Sequence, residues 1–123
     1  MKLRGHHLIC LNFFKGEGYS KEFVENIERI LKEREIEVVI GADDVCSKCP
    51  HLKSGSCNYK ENAEKEIKEL DELAYKLLSP SSVTNWDEIR RKLPKIMKTW
   101  KELACRNCDW ICVCKTNEEW LKY

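Results

Sequence analysis

Apolar residues recur along this chain with a helical period over most of its length. Ser20 is placed to cap a helix whose inward stripe is Phe23, Val24, Ile27, Ile30 and Leu31. Residues 36–40 instead alternate as a short strand should and stop at Gly41. Residues 42–58 break the periodicity and read as a loop containing Asp43, Asp44, Pro50 and Gly55. Beyond it, Asn58 and Glu61 have the form of a capping box. Ala63, Ile67, Leu70, Leu73, Ala74 and Leu77 then mark a long amphipathic helix ending before Pro80. Asn85 with Glu88 repeats the capping signature for a helix bearing Trp86, Ile89 and Leu93. Pro94 suits the first turn of a further helix with Ile96, Met97, Trp100 and Leu103 facing inward. Asn117 can cap a final turn holding Trp120 and Leu121. The expected fold is mainly α: a small single domain over residues 1–123 with a minor β element and two cysteine-bearing loops.

Composition adjusts this picture in three places. The charged fraction of 35% cancels to a formal +1, which gives nucleic acid or an anionic membrane no general purchase. A basic stretch (Arg90, Arg91, Lys92, Lys95, Lys98, Lys101, Arg106) surrounds Trp100, but helical spacing spreads its charges over more than one face. The absence of Gln beside abundant Lys and Glu leans toward a thermophilic source. No stretch approaches the ~18 apolar residues of a membrane span. The Leu8–Phe14 stretch, broken by Asn12 and followed by Lys-Gly-Glu-Gly, fails as a signal peptide, so a cytoplasmic location is expected.

Eight cysteines in such a chain call for a chemical reason. In a reducing compartment they serve as metal ligands or redox groups more often than as disulfides. One group is Cys46-x2-Cys49-Pro followed by Cys57; the other is Cys105-x2-Cys108 followed by Cys112 and Cys114. Each C-x2-C turn puts two sulfurs on one side of a tight loop, and two such turns supply a tetrahedral thiolate set. The 55 residues between Cys49 and Cys105 exceed a zinc-ribbon spacing, so helices must bring the loops together. Thiolates suit zinc or an iron–sulfur cluster, and their surplus over four favours the cluster, with zinc as the alternative. The expected ligands come from Cys46, Cys49, Cys57, Cys105, Cys108 and Cys114, converging on one metal centre. Near the N-terminus, Arg4-Gly-His-His-Leu-Ile-Cys10 would put His6 and Cys10 on one helical face, a second candidate site of His6, His7 and Cys10. The competing reading makes Cys10 a small buried hydrophobe and Asp43 and Asp44 turn residues.

Four segments in this order, R-G-H-H-L-I-C at 4–10, G-E-G-Y-S at 16–20, G-A-D-D-V-C at 41–46 and C-R-N-C-D-W at 105–110, carry a family resemblance. The chain resembles an uncharacterised family of bacterial and archaeal proteins of about this length, a domain of unknown function suspected of binding an iron–sulfur cluster. The resemblance takes in Arg4, His6, His7, Cys10, Gly18, Tyr19, Asp43, Asp44, Cys46, Cys49, Cys57, Cys105, Cys108, Trp110 and Cys114. Cys112 falls outside the pattern, Glu17 replaces a common Lys, and Ala42 replaces a common Pro. The resemblance implies a metal centre and supplies no reaction. Three functions follow: an iron–sulfur protein in electron transfer or redox sensing with a redox or protein partner; a metal-dependent enzyme using His6 or His7; and a zinc-stapled binding module with the basic stretch as its contact face.

Overall fold

The computed structural model describes residues 1–14, 16, 20–41, 43–46, 52–53, 56–57, 63–108, 114–115 and 117–123, with backbone alone at 52, 53, 56, 57, 63 and 107. The expected capping box at Asn58 and Glu61 lies outside these residues, as do Cys49, Trp110 and Cys112.

The molecule is mainly helical with a small three-stranded sheet, as the periodicity implied. Strand β1 (Lys2–Arg4) runs straight into helix α1 (Gly5–Cys10), which tightens into a 3-10 turn over Leu11–Phe13. Helix α2 (Lys21–Ile30) starts where Ser20 Oγ accepts the Phe23 N–H. Strand β2 (Ile36–Val39) pairs in parallel with β1, Leu3 opposite Val38, and antiparallel with the two-residue β5 (Val83–Thr84). A hairpin of β3 (Leu52–Lys53) and β4 (Ser56–Cys57) occupies part of the expected loop. Helix α3 (Ala63–Leu78) and helix α4 (Trp86–Leu103) form the scaffold, and α5 (Glu118–Leu121) closes the chain. No helix of the described residues is long and apolar enough to cross a membrane.

Two expectations need correction. The segments on either side of Pro94 are one helix, with Asn85 Oδ1 capping the Glu88 N–H and Pro94 in its interior. Pro94 is exposed, so its ring reaches solvent and one ladder bond is lost. The stripe Trp86, Ile89, Leu93, Ile96, Met97 and Trp100 continues across it into the core. Each such side chain contributes roughly 1.5–3 kcal/mol on burial, enough to carry the helix past the proline. Leu103, expected inward, is 61% exposed because the helix ends there and turns at Ala104.

The core gathers Leu3, Leu8, Ile9 and Phe13 from the N-terminal segment, Ile27 and Ile30 from α2, and the α4 stripe. Asn117 ties the two ends together. Its Oδ1 caps the Glu119 and Trp120 N–H groups, while its Nδ2 donates to the Phe13 carbonyl at 2.8 Å. Helix α1 is thus held between α3, α4 and the C-terminal turn.

Candidate metal centre

Every functional side chain of α1 depends on how closely its first turn approaches α3. Gly5 makes that approach: a Cβ there would meet the Asp71 carbonyl oxygen at 2.6 Å. Its N–H donates to Tyr75 Oη at 3.2 Å, and Tyr75 donates in turn to the Val39 carbonyl, joining α1, α3 and β2.

Beside Gly5, Arg4 is 1% exposed yet charged. Its Nε donates to Asp71 Oδ2 at 2.7 Å and its Nη2 to Glu64 Oε2 at 3.0 Å, with Nη1 3.8 Å from Cys46 Sγ. Burial works against the guanidinium, but Glu64, Asp71 and Cys46 overcome it and hold it protonated above its ordinary range. Asp71 also accepts the His6 N–H at 2.9 Å and His6 Nδ1 at 2.7 Å.

Asp43 forms the matching half. Its Oδ1 accepts the Val45 and Cys46 N–H groups, each at 3.0 Å, and its Oδ2 accepts the Arg4 N–H and His7 Nδ1, each at 2.7 Å. Burial would raise this carboxyl, but His7 and the Arg4 and Cys46 amides hold it well below the usual carboxylate range. Asp43 is therefore far more than a turn residue, and Asp44 pins β1 through the Lys2 N–H at 2.8 Å. Two His–carboxylate pairs result, with ring centroids 4.1 Å apart. Tethering Nδ1 fixes ring orientation and leaves Nε2 as the second donor, the arrangement seen at metal-binding and proton-transfer histidines.

Burial first, and then the His7 ring, push His6 down to about 4 against the pull of Asp71. Burial would raise Asp71, but its hydrogen bonds and charge interactions with His6 hold it below its ordinary value. Both folded values thus lie below their unfolded ones, so the unfolded chain binds more protons in acid. Stability is fully present above pH ~6.5, the unfolded His value, and is lost as pH falls toward 4 and then through the Asp71 range. Thermal melts from pH 7 to pH 3 should show this fall, and His6→Gln should flatten its upper limb. A transition temperature independent of pH between 6.5 and 4 would contradict the burial of a neutral His6.

The thiols sort differently from the histidines. Cys10 ends α1, Cys105 opens the 3-10 turn Cys105–Asn107, and Cys108 follows with its N–H on the Cys105 carbonyl at 3.1 Å. Burial pushes Cys10 well above its ordinary value, and the nearby Cys108, Cys105 and Cys114 add to the effect. Cys114 is pushed up to about 11 by burial and then by Cys108 and Cys105. Cys105 is raised mainly by burial. Two indoles attend this group. The Trp100 indole lies beside the Cys10 thiol, and the Trp120 indole, braced by Lys101 Nζ 3.9 Å above its ring, lies beside Cys105. Trp120 Nε1 is buried and lies toward the Cys105 thiol without a hydrogen bond of ordinary geometry. Lys101 is thereby engaged, as is Lys92 on the Leu78 carbonyl, so the basic stretch presents fewer charges than its sequence suggests.

Of the expected thiolate ligands, Cys105, Cys108 and Cys114 are near enough to act on one another and to raise Cys10, but among the described residues only His7, Asp43 and Cys46 bring three donor atoms within 4.8 Å of one another. Cys46 stands apart, beside Arg4, Asp43 and His7, and is pushed up to about 12 by burial and Asp43. Cys49 and the Cys57 side chain lie outside the described residues. His6 and His7 are divided from Cys10 along α1, each with its own carboxylate.

Glu64 and Asp71 were missed by sequence reasoning. A signal for Asp71 existed: Ile67, Asp71, Ala74 and Leu78 fall on one helical stripe, and an acid on such a stripe needs a buried partner.

Fold and side chains define a small helical domain in which a thiol group and a His–carboxylate group flank one short helix. The chain belongs to the family described as a protein of unknown function, DUF1284, whose profile matches residues 18–114. No curated protein and no solved structure matches the chain.

Proposed function

We propose that this chain is an iron–sulfur protein whose cluster is held by Cys10, Cys105, Cys108 and Cys114 and serves electron transfer or redox sensing. The observation that supports this reading is the electrostatic influence that Cys105, Cys108 and Cys114 exert on Cys10 from the other end of the chain. Four neighbouring thiolates without a cation would repel one another in a buried setting; a metal centre removes that penalty. An all-sulfur donor set suits iron–sulfur chemistry or zinc. The cluster would supply reversible one-electron chemistry. The protein's part is to orient the thiols on α1 and the 105–108 turn, to exclude water with Trp100 and Trp120, and to tune the centre through N–H···S bonds.

Anaerobic purification with iron and acid-labile sulfide analysis tests this directly. Stoichiometric iron and sulfide with broad visible absorption are expected, and Cys10→Ser or Cys108→Ser should deplete both. Trp120→Phe should retain the cluster but shift its midpoint potential downward, since an N–H donor to sulfur is removed. A colourless protein containing zinc, without iron or sulfide, would replace this reading with the zinc-stapled alternative.

A further inference from the structure

The His7–Asp43–Cys46 group plays no part in the thiolate centre, and the geometry points to a second, chemically different site there: a mononuclear site for a divalent transition metal such as zinc or ferrous iron. One donor atom from each residue lies within 4.8 Å of the other two. Two metal–ligand bonds of ~2.0–2.3 Å span ~4–4.6 Å end to end, so small side-chain adjustments let all three donors reach one ion. The donors come from separate pieces of backbone, His7 from α1 and the other two from the segment after β2. They are held before any ion arrives: Asp43 by four hydrogen bonds, His7 by Asp43, and the Cys46 N–H by Asp43 Oδ1. The Asp43 side chain is fully buried and that of His7 is 14% exposed, which leaves an approach from solvent on the imidazole side.

Charge favours a cation at this place. The buried Arg4 guanidinium is taken by Asp71 and Glu64, whereas Asp43 accepts from Arg4 only the backbone N–H and has His7 as its ion-pair partner among the described residues. A buried anionic excess is costly unless something positive joins it. Nitrogen, oxygen and sulfur donors together select a borderline metal rather than calcium or magnesium, which take oxygen ligands. Asp43 can serve in either of two ways. It can ligate the ion once the His7 proton has moved to Nε2, or it can keep its hydrogen bond while His7 offers Nε2, as the outer carboxylate of a histidine ligand. In both cases Cys46 loses its thiol proton to solvent on binding. With Asp43 ligating, three protein donors leave at least one position of a four-coordinate ion for water or a small ligand; with Asp43 outside, two positions stay open, and either is the pattern of catalytic rather than purely structural sites.

The test removes the first centre so that the two cannot be confused. In a Cys108→Ser/Cys114→Ser chain, cobalt(II) titration should show one bound equivalent with a sulfur-to-cobalt charge-transfer band. X-ray absorption of the zinc-loaded protein should show one sulfur among nitrogen and oxygen neighbours. Adding Cys46→Ser should abolish the charge-transfer band, and adding His7→Ala should weaken binding by at least about 100-fold, beyond the usual effect of losing an outer partner. Circular dichroism verifies folding, and should His7→Ala unfold the domain, Cys46→Ser alone decides. Absence of cobalt binding, three or four sulfur neighbours, or an unchanged band in Cys46→Ser would overturn the assignment. Because the readout uses cobalt and zinc in a chain lacking two cluster thiols, it stands whether or not the iron–sulfur reading holds.

Discussion

Arg4→Ala is expected to cost about 3–5 kcal/mol, the range found when one partner of a buried ion pair is deleted. The reason lies in what stays behind. Asp71 remains 3% exposed with one oxygen still on His6, and Glu64 loses its ion pair with the guanidinium. Asp71 cannot reach water without moving α3 away from α1, whereas Glu64 is partly exposed already. Since small domains have only about 5–15 kcal/mol in total, much of the population should unfold at physiological temperature. Urea titration read by circular dichroism measures the shift in midpoint at constant slope. The pair Arg4→Met with Asp71→Asn should be less damaging than the sum of its parts, because the stranded charge is removed together with its partner. An Arg4→Ala midpoint equal to that of the unsubstituted chain would refute the account of the network.

Gly5→Ala should be nearly as damaging, although it adds only a methyl group. The new Cβ would lie 2.6 Å from the Asp71 carbonyl oxygen and 2.9 Å from its Cα, and neither backbone atom can swing aside. Helices α1 and α3 must part, at about 2–3 kcal/mol on the scale of overpacked cores. The displacement carries His6, His7 and Cys10 with it, so metal uptake at the two proposed sites should fall along with stability. Gly41→Ala offers a clean contrast. Its φ of +87° penalises any side chain, but nothing lies within 4 Å of the added carbon. A loss nearer 1 kcal/mol is expected there, from the backbone term alone. Thermal melts of the two variants separate the mechanisms. Equal losses would mean that the approach of α1 to α3 is looser than the Gly5 contact implies.

What could be read from the sequence was local. Ser20, Asn85 and Asn117 announce their helices because a capping oxygen and the N–H that donates to it lie within three residues. The α4 stripe was equally plain, though proline at 94 suggested a break that the continuous core face overrides. β1 and β5 were invisible: two or three residues carry no periodicity, and Leu3 finds its partner Val38 only after α1 and α2 have folded between them. The site divides in the same manner. The thiols were visible as residue types, and the 105–108 turn as a spacing. Their sorting was not, because Cys10 meets its sulfur neighbours across about 95 or more positions, and Arg4 meets Asp71 across 67. No local pattern encodes such pairings. The expectation that Cys10 was merely a small apolar filler rested on its helical face, and periodicity reports burial without naming the company a side chain keeps.

The clasp between Asn117 and the Phe13 carbonyl bridges 104 positions, and it has a bearing on how the protein is made. While the ribosome is still translating the middle of the message, Cys10 has emerged but none of its three sulfur neighbours has been synthesised. The nascent N-terminal half therefore holds its thiol without a completed cage. On the proposed reading, the thiolate centre can be loaded only after residues 105–117 have been released.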